Sequence, residues 1–189
     1  MEKLAGKIVD WQIEREFLNQ QDRSLYVYAY GLLIGQGVNL LISCLLAVMF
    51  RSYMVVFVYL VSYIPLRSYA GGHHAGSYGL CTFISTIILT AACIMAKVIP
   101  QDMIFVMGVA VMSAGTWFMV KRVPVEAEKK PLSQNEKQVY RKRCIVIWIT
   151  EVVIWGISFF IGYKQISLSI TLAHLTLICM LYLGLRKTK

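Results

Sequence analysis

Charge is scarce in this chain. Only 15% of its 189 residues are charged while 58% are hydrophobic, and the mean hydropathy is +0.62. Soluble domains sit nearer about 45–50% apolar, so a water-soluble globule is excluded. Acids are the rarer charge, 10 against 19 Lys and Arg, which leaves a formal net charge of +9. There is no CxxC pair. The five cysteines (Cys44, Cys81, Cys93, Cys144 and Cys179) are odd in number, which argues against a disulfide framework. No HExxH motif is present either, and adjacent histidines such as His73 and His74 are expected to point apart, so neither a metal nor a cofactor is expected. The first 25 residues lack the apolar stretch of a cleavable signal peptide and hold Glu2, Asp10, Glu14, Glu16 and Asp22. A membrane span is therefore expected to act as the insertion signal.

Long apolar runs fill the rest of the chain, at 29–50, 53–66, 80–99, 103–120, 144–162 and 166–185. Several approach the ~20 residues that cross a bilayer, whereas 53–66 crosses only if it extends toward Ala70. Before them, Leu4, Ile8, Trp11, Leu18 and Leu25 recur at helical spacing among charges, which predicts an amphipathic helix lying in the headgroup region. The fold class expected is an all-α integral membrane protein of about six transmembrane helices. It is organised as an interfacial helix over 1–28 and a polytopic domain over 29–189. Within that domain a polar loop covers 67–81 and a basic connector covers 121–143.

Charge placement predicts the topology. If all six runs span and the N-terminus is cytoplasmic, only Arg51, Lys97 and Lys164 of the 19 cations fall at the outer side. The positive-inside rule favours that orientation, with both termini in the cytoplasm. It also accounts for the net charge without nucleic acid, because the basic connector offers no aromatic platform beyond Tyr140. Its cations instead stand beside an anionic leaflet, so membrane lipids are expected partners.

The loop Arg67-Ser68-Tyr69-Ala70-Gly71-Gly72-His73-His74-Ala75-Gly76-Ser77-Tyr78-Gly79-Leu80-Cys81 is a polar, glycine-rich break between two apolar runs. Such a break belongs at an interface or around a water-filled cavity. A histidine seven residues before a cysteine supplies the two parts of a thiolate nucleophile and its base. On a continuous helix the pair would lie ~10 Å apart, so the segment must fold back, and Gly76 and Gly79 permit that. Cys81 also falls where a span begins, and the positive end of a helix favours an anionic sulfur. Cys144 opens a span as well, but it has no histidine near it in sequence. Cys44, Cys93 and Cys179 read as small buried hydrophobes.

The block Arg67…Gly72-x-His74-Ala75-x5-Cys81 resembles the signature of the accessory gene regulator B (AgrB) family. These are membrane cysteine endopeptidases of Gram-positive quorum-sensing systems. The chain length, the amphipathic start and the Lys-rich, proline-containing connector 124–131 resemble that family as well. The resemblance implies Cys81 as nucleophile and His74, rather than His73, as general base. It implies supporting roles for Arg67 and Gly72. The implied substrate is an AgrD-like pro-peptide, which loses an acidic C-terminal tail and is closed into a thiolactone or lactone. That tail is expected to dock on Lys129, Lys130, Lys137, Arg141, Lys142 and Arg143. A homodimer in the cell membrane, with its active site on the cytoplasmic side, is also implied.

Four further polar groups fall within spans. Gln36 and Asn39 read as packing residues of the first span that need partners. Glu151 and His174 lie ~12 Å and ~18 Å from the cytoplasmic ends of their helices, close enough to pair. A buried structural pair is the reading favoured over catalysis. The alternative function is a small transporter or channel that uses those two as an internal relay.

Overall fold

A computed structural model describes residues 2–71, 78–125 and 133–187. Among them run seven α-helices: α1 (Glu2–Glu14), α2 (Arg23–Met49), α3 (Tyr53–Ala70), α4 (Tyr78–Val98), α5 (Met103–Arg122), α6 (Gln134–Ile161) and α7 (Lys164–Lys187). Six of these, α2 to α7, are long and apolar enough to cross a membrane, as the six apolar runs predict. The chain is a multi-pass membrane protein. The short run 53–66 does extend, to 18 residues in α3, or about 27 Å of helix. Pro65 sits inside α3 and leaves one carbonyl without its helical partner, which a spanning helix tolerates when neighbours cover it.

The single helix expected over 1–28 is divided. Glu16 takes a left-handed backbone, φ 59°, which no α-helix continues through. A 3-10 turn at Gln20–Asp22 follows, and residues from Arg23 onward belong to the first span. The apolar spacing that runs across the break therefore serves two helices. Arg23 returns to α1 through two bonds to Asp10, at 2.7 and 3.0 Å, and Gln12 donates to the Tyr30 hydroxyl at 2.8 Å. Ala5 and Val9 are fully buried, while Leu4 and Trp11 stay half exposed as an open apolar edge.

The described residues group into two compact units, 2–45 with 78–87, and 46–71 with 88–125 and 133–187. The second holds the main core, where α7 packs against α3, α5 and α6. Glycines set how closely α5 and α6 approach. A Cβ at Gly108 would run into the Trp155 indole, and one at Gly115 into the Trp148 indole. Both pairs are spaced seven residues apart, so two large knobs enter two small seats in the same register. Polar atoms inside this core find partners, except the Trp155 ring nitrogen, which has none among the described residues. The Ser158 and Ser167 hydroxyls meet at 2.8 Å, and Tyr59 donates to Thr176 at 2.9 Å. Such bonds are needed where no water reaches the backbone or side chains.

Candidate active site

Cys81 lies in the first turn of α4 and is partly exposed. Gly79 is already helical, and a Cβ there would meet nothing, so it does not make the fold-back expected of it. Gly76, the other residue expected to allow it, lies with Gly72, His73 and His74 in 72–77, outside the described residues. Beside the cysteine, the Thr82 hydroxyl is buried without a partner among the described residues. The Asn39 side-chain oxygen and the Gln12 side-chain oxygen, in the same unit, share that condition, whereas Gln36 is exposed. Three buried polar atoms with unused hydrogen-bonding capacity are costly in a finished core. Sequence reasoning did not single out Thr82 or Gln12, although the position next to Cys81 was a usable signal for Thr82.

The other end of the loop is anchored in the second unit. Gly71 ends α3 with φ 74°, a conformation in which side chains are strained, and forms a parallel bridge with Val125. The Val125 amide donates to the Ala70 carbonyl at 2.9 Å, and a Cβ on Gly71 would collide with the Val125 carbonyl oxygen. Arg67, one turn earlier, donates to the Gly71 carbonyl. That bond ties the arginine to the backbone at the end of its own helix.

The basic connector resolves into distinct duties, with Lys129 and Lys130 outside the described residues. Arg141 donates to the Val120 carbonyl at 2.6 Å, which caps the open end of α5. Lys137 is half-buried on the side of α6 that carries Cys144 and Trp148, and it has partners of its own. Lys142 and Arg143 are exposed and turn to the opposite side, where Arg143 lies 5.5 Å over the Tyr69 ring.

Residues 1–183 match the family described as Accessory gene regulator B. The chain belongs to the AgrB family. It is 24% identical over 146 residues to AgrB-like protein 2 of Clostridium perfringens (strain 13 / Type A), a match covering 73% of this chain and 67% of that relative. An AgrB-like protein of Clostridium perfringens (strain SM101 / Type A) is 23% identical over 146 residues, with the same coverage. No solved structure matches the chain. Membership of the AgrB family implies a part in processing quorum-sensing peptides.

Within this AgrB family chain, the intramembrane acid and histidine do meet. Glu151 Oε2 lies 2.6 Å from His174 Nε2, and His174 Nδ1 faces Met112 Sδ at 3.1 Å. The imidazole stacks on Trp148 at 4.2 Å, and the Trp148 ring nitrogen donates to Thr116 at 3.1 Å. Both ring nitrogens of the histidine are engaged, in keeping with the structural pair expected from sequence. The cysteines divide differently from expectation. Cys93 and Cys144 are buried, but Cys44 and Cys179 are exposed on spanning helices. Cys144 Sγ rests 3.4 Å from Met119 Sδ, so it serves poorly as a reactivity standard for an accessible thiol.

Proposed function

We propose that this AgrB family chain is a membrane-embedded cysteine endopeptidase that matures an AgrD-like pro-peptide. The observation that carries the reading is the setting of Cys81, an accessible thiol in the first turn of a spanning helix directly after the histidine segment. His74 takes the proton from Cys81 Sγ, and the thiolate attacks a substrate carbonyl carbon. The tetrahedral intermediate collapses to an acyl-enzyme thioester, and the acidic tail leaves as an amine that takes up the proton. A Cys or Ser side chain of the peptide then attacks the thioester, releases Cys81 and closes a thiolactone or lactone. Exchange of one thioester for another roughly conserves bond energy, so the ring forms only while water is kept from the acyl-enzyme.

Arg67 and Gly72 support this chemistry by fixing the histidine loop. Of the six connector cations expected to dock the acidic tail, we assign it Lys129, Lys130, Lys137 and Arg141, because Lys142 and Arg143 turn to the opposite side of α6. Neutralising these raises KM more than it lowers kcat, and unchanged kinetics at low salt would remove them from the reading. Both termini and the active site lie on the cytoplasmic side, where the cations gather. The chain works as a homodimer.

Limiting iodoacetamide applied to the membrane-held protein tests the nucleophile, with each adduct located by mass spectrometry from mildly acidic to mildly alkaline pH. Cys81 is expected to label ahead of the exposed Cys44 and Cys179, and to lose that lead in His74→Ala. Equal labelling of all three, indifferent to His74, would sink the assignment.

A further inference from the structure

Helix α6 is longer than a membrane requires. Its 28 residues reach about 42 Å, against a hydrocarbon core of about 30 Å. The stretch from Cys144 to Ile161 alone covers about 27 Å, which places residues 134–143 at headgroup level. That outer part is held helical by its own cap. Ser133 accepts from the Glu136 amide at 3.3 Å, and the Ser133 amide donates to the Glu136 carboxylate at 2.9 Å.

At the transition the second unit carries a groove of about 400 Å³, lined by Tyr69, Val139, Lys142, Arg143, Val146 and Ile147. Its composition is split by depth. Lys142 and Arg143 precede Cys144, in the part of α6 assigned above to headgroup level, Tyr69 bonds to Arg143, and none of the six lining residues is an acid. The guanidinium of Arg143 lies over the Tyr69 ring and its Nη1 donates to the Tyr69 hydroxyl at 3.4 Å, which uses one of its five donors. Below them, Val146, Ile149, Val153 and Ile157 are each about half exposed, and helical spacing sets them on one face. A cationic head thus runs into an apolar stripe of roughly the length of an acyl chain.

We propose that this groove binds one anionic phospholipid, with its phosphate on Lys142 and Arg143 and an acyl chain along Val146, Ile149 and Val153. A hydrated acidic peptide would satisfy the cations but would leave the apolar stripe unused. Guanidinium and phosphate pair through parallel N–H···O bonds, and basic pockets between spanning helices favour such headgroups. A lipid seated there would brace the end of α3, from which the Arg67–Gly71 anchor extends. Lipid binding there requires no peptidase activity.

The test uses the full-length protein and native mass spectrometry, with phosphatidylglycerol or phosphatidylcholine titrated from mixed micelles. The unmodified protein is expected to hold one phosphatidylglycerol and to prefer it over phosphatidylcholine. The double variant Lys142→Gln/Arg143→Gln is expected to weaken that binding about thirtyfold, from about 1 kcal/mol per cation. The matched variant Lys121→Gln/Arg122→Gln, which removes the same charge from α5, should change it less than about twofold. Arg143→Lys, which keeps the charge, should retain most of it. Equal affinity for the two lipids in the unmodified protein would overturn the proposal, as would equal losses in the two double variants. A hexaglutamate peptide that displaces phosphatidylglycerol and is itself lost in Lys142→Gln/Arg143→Gln would reassign the groove to an acidic peptide.

Discussion

The Glu151–His174 pair and the Cys81 turn both set polar chemistry in an apolar chain, but one is saturated and the other is open. Around the pair, a carboxylate, a thioether sulfur and an indole face already occupy the imidazole. Around Cys81, the thiol is partly exposed and the neighbouring Thr82 hydroxyl has no partner among the described residues. A saturated cluster lowers the energy of one packing arrangement, whereas an open one leaves hydrogen bonds to be made with something that arrives later. That difference, more than residue type, supports proposing one as structural and the other as reactive, since the proposed reading also sets a histidine beside a proton-bearing partner at Cys81.

The largest effect should come from the open site. Cys81→Ala is expected to reduce pro-peptide cleavage in proteoliposomes by on the order of 10⁴-fold, with thermal stability unchanged. Cleavage that survives would show that the thiol is not the nucleophile. Next comes the packed side of the comparison. Glu151→Ala should cost about 3–5 kcal/mol, because it leaves His174 buried without its partner, and Glu151→Gln should cost less. Thermal unfolding in detergent measures both, and cleavage per folded molecule should hold in each variant. Loss of cleavage in a well-folded Glu151→Gln would erase the distinction between the two places.

A smaller loss, about 1–3 kcal/mol, is expected from overpacking the α5–α6 contact with Gly115→Val. Trp148→Phe in the same chain should restore part of it, and a strictly additive result would mean that the two do not touch. The smallest effect belongs to the exposed Asp10–Arg23 tie. The Arg23 guanidinium holds the Asp10 carboxyl below its ordinary range, through a hydrogen bond first and its charge second. The tie is therefore intact above the usual carboxylate range and is lost only as pH falls through the lowered value. Proteolysis between α1 and α2 should quicken only in acid, and Asp10→Asn should remove that dependence.

The sequence makes the six spans legible because a bilayer demands length and apolarity, and both can be counted along a chain. The Glu151–His174 contact was legible for a related reason, since two costly groups at similar depth must find each other. The break after Glu14 was not, because Leu18 and Leu25 continue the apolar spacing of α1 while the left-handed turn at Glu16 carries no glycine or proline to mark it. Nor was the bridge between Gly71 and Val125, which joins residues far apart in sequence through backbone atoms that no side-chain pattern reports. Cys44 and Cys179 were misread because an apolar span looks the same whether its neighbour is protein or lipid.

The paired glycine seats of α5 and tryptophan knobs of α6 also limit how the protein can answer a change of bilayer thickness. Sliding one helix along the other by a single turn would drive both indoles onto side chains. The next register that refills a seat is seven residues away, about 10 Å, and it still strands one tryptophan. A thicker or thinner membrane must then be met by tilting the pair as one body, with the lipid adjusting around it.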